Sequence, residues 1–335
     1  MKRLVVVAML VLPSGVAIAQ NHSPLHPQNV STFSIVARDA ATGQMGIAVA
    51  SRYFSVGAVV PWAMADVGAV ATQANVNVGY GPKALDLLRQ GLTAQQVADR
   101  LLAEDTFPGK DARQFAIVDA KGNVVTYTGP NAPDWAGGQK SANWATQGNI
   151  LVGPQVPEAM GKAFEATEGE LPEKLYAALK AGHAVGGDKR GRQSASILIV
   201  CKECGRNTNN DRYVYINVDD NPEPFAELRR LLDLNLTYAY QDLSFKQLLN
   251  GEVVKARAAA EKSVQYSPNS TDSHMGLAFI DYSAGDKKVS LAEFAKAREG
   301  NPDFRKQWDS EVQFFPDGKK MLADQEFMSQ LFPTK

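Results

Sequence analysis

Thr32-Phe33-Ser34-Ile35-Val36-Ala37-Arg38, followed by Asp39-Ala40-Ala41-Thr42-Gly43-Gln44 and then by Met45-Gly46-Ile47-Ala48-Val49-Ala50-Ser51, is the stretch whose reading decides the fold. The first run alternates, the middle is built of turn formers and the last run is apolar again, a pattern that predicts a β-hairpin. Val56 to Val60 and Val67 to Gln73 read as two further short strands, rich in Ala, Gly and Val as in sheets covered on both faces. Gly81 to Glu104 then switches to helical spacing, with Ala84, Leu87, Leu88, Leu92, Val97, Leu101 and Leu102 as the apolar positions. A break at Gly91-Leu92-Thr93 divides it into two helices, the second capped by Thr93 with Gln96 three residues on. Strands return at Gln114 to Val118, Val124 to Thr128 and Ala145 to Leu151. Pro157 to Thr167 and Pro172 to Gly182 form a second helical pair, and Ser194 to Cys201 and Arg212 to Val218 are the closing strands. Strand clusters separated by helical pairs, without βαβ alternation, argue for stacked sheets with helical faces and against a doubly wound sheet.

Everything beyond Pro224 reads as helical. With 335 residues and 44% apolar content, the chain can bury one large core and a smaller one. Its 35 Lys+Arg against 36 Asp+Glu leave a net charge of -1, which gives no electrostatic ground for nucleic acid or an anionic membrane surface as partner. Upstream of the hairpin, Lys2 and Arg3, the apolar run Leu4 to Leu12 and the small-residue pattern Ala17-Ile18-Ala19 predict a cleaved signal peptide over 1–19. The run is too short to span a bilayer as a helix, so the expectation is an exported, periplasmic or extracellular protein with no membrane span. Residues 20–31 are polar with two prolines and read as a flexible leader and candidate pro-segment. Export means an oxidising compartment, so Cys201 and Cys204, the only two cysteines, are expected to pair across a Gly/Asn-rich hairpin loop. His22, His26, His183 and His274 show no ligand spacing, and no metal is expected.

Thr32 stands at the junction of leader and first strand. A threonine exposed as a new chain start attacks a carbonyl while its own α-amine, with a pKa of ~7.7 to 8.0, takes the proton. The alternative is an ordinary β-branched residue beginning a strand.

The stretches Thr32-Phe33-Ser34-Ile35-Val36-Ala37, Gly57-Ala58-Val59-Val60-Pro61-Trp62-Ala63, Gly68-Ala69-Val70-Ala71-Thr72-Gln73-Ala74, Gln147-Gly148-Asn149, Gly186-Gly187-Asp188-Lys189-Arg190-Gly191-Arg192-Gln193-Ser194-Ala195 and Asn210-Asp211-Arg212-Tyr213 together resemble a bacterial family known as domain of unknown function 1028, over Thr32 to Leu236. The resemblance implies an α+β fold, a four-layer αββα sandwich of the N-terminal-nucleophile (Ntn) hydrolase type over 32–236, opening on Thr32. The layout is also similar to a proteasome β-subunit. By that resemblance Asp188 would orient the Thr32 amine and hydroxyl, Ser194 would hydrogen-bond the amine, Asn149 would support the nucleophile, and a backbone N–H near Gln73 or Ala74 would receive the oxyanion. One departure is that this chain has no lysine between Lys2 and Lys83, where the proteasome pattern carries one; Arg52 or Arg38 would have to supply the charge. The Gly186 to Arg192 loop reads as lining the site, because a strand and not a helix follows it. Arg52, Gln73, Ala74, Arg190 and Gln193 are therefore the candidate substrate-binding residues.

In the tail, Met275-Gly276-Leu277-Ala278-Phe279-Ile280-Asp281-Tyr282 and Ala292-Glu293-Phe294-Ala295-Lys296-Ala297, ending at Asn301-Pro302, resemble a tetratricopeptide unit, with an echo at Gly251, Ala256, Ala259, Ala260 and Tyr266 to Pro268. Residues 237–335 are thus expected to form a small all-α domain, either a packing appendage or a partner-binding groove. The combined expectation is an exported amidohydrolase without cofactor, acting on a small-molecule amide or peptide. The alternative is a non-catalytic binding or cell-envelope assembly module that uses the same scaffold and a helical partner-binding tail.

Overall fold

The computed structural model describes residues 32–333. The segments read as signal peptide (1–19) and leader (20–31) lie outside the described residues. Two fully antiparallel sheets and a C-terminal helical region make up the molecule.

The predicted hairpin forms: β1 (Thr32–Arg38) and β2 (Met45–Ser51) pair from Thr32 opposite Ser51 to Arg38 opposite Met45. The Asp39 carboxylate closes its turn by accepting the N–H groups of Ala41 and Thr42 at 2.8 and 3.0 Å. With β7 (Gly137–Ser141), β8 (Trp144–Asn149), β9 (Ser194–Val200) and β10 (Arg212–Val218) they build a six-stranded sheet in the order β10-β9-β2-β1-β8-β7. β3 (Pro61–Met64), β4 (Gly68–Ala74), β5 (Arg113–Asp119) and β6 (Val124–Thr128) form the four-stranded sheet, in sequence order.

Val56 to Val60 is not the strand its composition predicts. Val56–Ala58 is a single 3-10 turn, entered through Ser55 in the left-handed region at φ 55°. Gly57 lies so close to β10 that a Cβ there would stand 1.8 Å from Asn217 Oδ1, and tertiary packing overrides the strand propensity.

The alternation of each strand assigns its residues to layers. β1 sends Phe33, Ile35 and Ala37 outward to α3 (Gln155–Ala166) and α4 (Leu171–Ala184), where they meet Met160, Leu175 and Leu179. Its other face, with Val36, joins Ile47, Val49, Ala69, Ala71, Ala116, Val118 and Leu198 between the sheets. The outer face of the second sheet carries Val70, Phe115 and Ile117 against α1 (Tyr80–Arg89) and α2 (Ala94–Glu104). Thr93 and Gln96 form the capping box the sequence predicts.

α5 (Pro224–Leu249) is one continuous helix of 26 residues that runs through position 236. Its first half adds Phe225, Leu228, Leu232 and Leu236 to the α3/α4 layer, and its second half packs on α6 (Val253–Tyr266). α7 (Thr271–Ser283), α8 (Lys287–Arg298), α9 (Phe304–Glu311), α10 (Gly318–Ala323) and α11 (Gln325–Leu331) complete the tail around Phe279, Phe294, Phe304, Trp308 and Phe327. No helix among the described residues is long and apolar enough to cross a membrane.

Candidate active site

The space between the sheets is apolar at one end and polar at the other. In β1, β2, β4, β5, β8 and β9 the residues that alternation turns toward the opposite sheet include Thr32, Ser34, Ser51, Gln73, Gln114, Gln147, Asn149, Ser194 and Ser196, all buried. Hydroxyls and carboxamides replace valine there, and burying such groups is costly unless each finds partners.

Register brings four of them into one row. Thr32 stands opposite Asn149 on one side and Ser51 on the other, and Ser51 stands opposite Ser194. Neighbouring strands lie ~4.8 Å apart, so Asn149, Thr32, Ser51 and Ser194 cross the sheet as adjacent side chains on one face. The Thr32 hydroxyl donates to Ser51 Oγ at 3.2 Å. Ser194 is held differently: its hydroxyl donates to the Tyr53 carbonyl at 2.5 Å and accepts Val56 N–H at 3.3 Å, which fixes the chain beyond β2.

Behind the row runs a carboxamide relay. Gln73 Nε2 reaches the Thr32 carbonyl at 3.4 Å and donates to Gln114 Oε1 at 2.8 Å, while Gln73 Oε1 accepts the Ser34 hydroxyl at 2.7 Å. Gln114 Oε1 also accepts Asn149 Nδ2 at 3.0 Å, and Gln114 Nε2 donates to the Gly148 carbonyl at 2.8 Å. One side chain of the second sheet thus fixes both Asn149 and Gln73 relative to Thr32.

The backbone is strained where it leaves the relay. Ala74, directly after Gln73, has φ 63°, and Ile150, directly after Asn149, has φ 52°. A non-glycine residue in the left-handed region costs of order 1–3 kcal/mol and persists only where surroundings enforce it. For Ala74 the enforcement is visible. Asp105 and Arg113 form a buried ion pair at 2.9 Å, and the Arg113 guanidinium also donates to the Asn75 carbonyl at 2.6 Å. Burial alone would raise the Asp105 pKa, but Arg113, the Tyr80 hydroxyl and the Phe107 N–H outweigh it and hold the carboxyl below its ordinary range.

Asp188 reaches the row through the main chain. Its carboxylate accepts the Arg52 N–H at 2.9 Å and the Arg190 N–H at 2.8 Å, and it pairs with the Arg190 guanidinium at 3.3 Å. Arg52, next to Ser51, donates through its guanidinium to the Arg190 carbonyl at 2.9 Å. Asp188, Arg52 and Arg190 therefore form one cluster at the Ser51 end of β2. Gln193 points elsewhere: its side chain donates to Asp220 at 3.1 Å, although its N–H meets the Ser51 carbonyl at 3.0 Å. At the back of the same loop, the His183 ring stacks on Phe225, and burial followed by the charge of Arg192 lowers its pKa.

Ser34, Gln114, Gln147, Asp105 and Arg113 were not among the sequence candidates. For Ser34, Gln114 and Gln147 the trace was a polar residue at an inward position of a strand, whereas Asp105 follows the end of α2 and Arg113 opens β5, and neither left such a mark. Cys201 and Cys204 form a disulfide with Cα atoms 5.5 Å apart. Among the described residues no three His, Cys, Asp or Glu side chains converge as metal ligands. Cavities of about 340, 320, 370 and 530 Å³ open elsewhere on the molecule, and Thr32 lines none of those four.

Residues 32–228 match the model of a family described as Family of unknown function (DUF1028). The chain belongs to the DUF1028 family. The crystal structure of the DUF1028 protein SPO2555 from Silicibacter pomeroyi is similar, with a TM-score of 0.54 and 30% identity over 60% of this chain and 87% of that one. No curated protein matches. The DUF1028 match opens on Thr32 and closes at Leu228 inside α5, so it takes in the whole row, the relay and the Asp188 cluster. The tail from α6 onward lies outside it.

Proposed function

We propose that this DUF1028 protein is an exported amidohydrolase of the N-terminal-nucleophile type, its two stacked sheets and helical faces being an Ntn-type sandwich. The observation that carries the reading is the row Asn149–Thr32–Ser51–Ser194, with Thr32 first on its strand and the Asp188 cluster beside Ser51. Removal of the leader at Ser31-Thr32 gives Thr32 a free α-amine. That amine takes the hydroxyl proton as Oγ1 attacks the amide carbonyl; the amine product leaves with the proton, and water then hydrolyses the threonyl ester. Asn149 and Ser51 orient the nucleophile, the backbone N–H groups about Gln73 and Ala74 face the developing oxyanion, and the Arg52–Arg190 cluster receives a substrate carboxylate. The strained φ at Ala74 and Ile150 supports a site at this end of the sheets. The Cys201–Cys204 disulfide supports export.

The test is N-terminal sequencing and intact mass of the exported protein beside a Thr32→Ala variant. A wild-type chain beginning at Thr32 and a variant that keeps residues 20–31 support self-processing. A wild-type chain that retains residues 20–31 leaves Thr32 without its base and sinks the hydrolase reading. One observation favours a second reading, a binding or cell-envelope assembly module: in the intact chain Thr32 is fully buried, and the cavities described lie elsewhere.

A further inference from the structure

The cavity of about 340 Å³ in the helical tail lies among α5, α6, α7 and the end of α9, outside the DUF1028 segment and sharing no residue with the Thr32 row. Its walls include Phe245 and Phe315, packed edge to face at 5.4 Å, and its mouth includes Phe314, which is 66% exposed. Besides Asp242, two carboxylates line it, Asp272 and Glu311. The Gln307 amide nitrogen donates to both, to Asp272 Oδ1 at 2.6 Å and to Glu311 Oε1 at 3.0 Å, so two like charges are held within each other's field. Elsewhere the tail neutralises its sheltered acids: Asp281 meets Arg257 at 2.7 Å, Glu293 meets Lys296 at 2.7 Å, and Asp324 meets Lys287 at 2.5 Å. Asp242, a third acid at the cavity, pairs with Arg206 at 3.0 Å. Among the described residues the half-buried Glu311 has no cation within salt-bridge distance, and neither has Asp272, which is exposed. Burial raises the Glu311 pKa and the Asp272 charge adds to the rise, as expected of a carboxylate whose counter-charge is missing.

Gly276 is an independent observation. It sits inside α7 on the cavity wall, and a Cβ built there meets nothing within 4 Å. A glycine inside a helix is destabilising relative to alanine, and here neither a left-handed φ nor a close neighbour requires one. What the missing methyl maintains is space in the cavity.

We propose that this cavity binds the side chain of a lysine presented by a peptide, its ammonium between Asp272 and Glu311 and its methylene stem against Phe245 and Phe315. The volume, at the small end of ligand pockets, suits one side chain. An ammonium bridging two separate carboxylates fits better than a guanidinium, whose planar fork wants both oxygens of one carboxylate, because Gln307 already engages one oxygen of each. A divalent cation would need several more oxygen ligands than the two carboxylates supply. An alkyl stem over aromatic faces and a cation near the rings complete the recognition.

The test is calorimetric titration of the whole protein with the blocked tripeptide acetyl-Ala-Lys-Ala-amide, its side-chain-acetylated form, the arginine analogue and 1,5-diaminopentane. Saturable binding of the lysine peptide is expected, about 10-fold or more weaker for the acetyl-lysine form and for Glu311→Gln. Gly276→Ala should raise the thermal midpoint while weakening binding, and Gly276→Leu should abolish it; a fold lesion would not separate the two readouts. No binding of the lysine peptide, equal binding of its acetylated form, or undiminished binding to Gly276→Leu would overturn the proposal. Equal affinity for the arginine peptide would overturn the assignment to lysine, and equal affinity for 1,5-diaminopentane would overturn the peptide as source. Binding should persist in Thr32→Ala; its loss there would move the site to the Thr32 row and overturn the inference without touching the hydrolase reading.

Discussion

The interior of the tail and the polar end of the inter-sheet space are equally buried and built on opposite terms. In the tail, Phe279, Phe294, Trp308 and Phe327 pack ring on ring, with centroids 5.1 Å apart for Phe279 and Phe294 and 6.4 Å for Phe279 and Trp308. Such a core needs shape and little else. At the Thr32 end of the sheets, the same degree of burial is spent on Ser34, Gln73, Gln114, Gln147 and Asn149, which stabilise the fold only while every amide keeps its partner. Valine at these positions would give a simpler core. A protein that keeps carboxamides there keeps them for their directionality, and this contrast points to the Thr32 end, not the tail, as the place where atoms must be held to a geometry.

If the contrast holds, the largest loss of stability comes from the aromatic side. Trp308 is fully buried and touches no hydrogen-bond partner through its indole N–H among the described residues. Trp308→Ala should cost about 3–5 kcal/mol, as large aromatic deletions do, and Trp308→Phe much less, because only volume is lost. Urea unfolding followed by near-ultraviolet circular dichroism measures both, and the loss should be confined to the tail. Equal costs for the two variants would mean that the indole N–H has a role the aromatic packing does not explain.

The next effect lies at the edge of the site, where a charge is buried. Asp105→Asn leaves Arg113 buried without its counter-ion and should cost about 3 kcal/mol at neutral pH. The sign with pH follows from the lowered carboxyl: its contribution is present above the ordinary Asp value of ~3.9 and is lost as pH falls through the lower folded value. The gap between wild type and Asp105→Asn in thermal midpoint should therefore be constant from pH 5 to 8 and close in acid. A gap that stays open in acid would assign the loss to packing and not to charge.

What could be read without coordinates follows the same division. Local patterns were legible: the β1–β2 hairpin with its Asp39 turn, the break between α1 and α2, and the Thr93–Gln96 capping box, all set by residues within a few positions of one another. β3 and β7 were not, since Pro61-Trp62-Ala63-Met64 and Gly137-Gly138-Gln139-Lys140-Ser141 are edge strands, one opening on proline and the other with no apolar face. The row Asn149–Thr32–Ser51–Ser194 joins strands far apart in the chain, and only register decides which residues meet; Thr32 entered the reading through its place at the junction of leader and first strand, Asn149 and Ser194 through family resemblance. Gln114 had neither aid. A single glutamine in Arg113-Gln114-Phe115-Ala116-Ile117-Val118 looks like the polar rim of a strand until β4 and β8 close over it.

Gln114 is accordingly where the comparison is drawn most finely, with the smallest effect on stability and a separate effect on chemistry. Gln114→Leu keeps the volume close and removes one acceptor and two donors, so Gln73, Asn149 and the Gly148 carbonyl all lose this partner. The expected cost is about 1–3 kcal/mol, the range for leaving buried polar groups unsatisfied. If the relay only fills space, the hydrolysis and leader removal proposed for Thr32 should follow stability and recover on cooling. If it positions the nucleophile, kcat should fall by about 10-fold or more with KM little changed, at temperatures where the variant is fully folded, since the lost interaction orients Thr32 and does not bind substrate. A change in KM alone would place Gln114 on the substrate side of the row and separate it from Gln73 and Asn149.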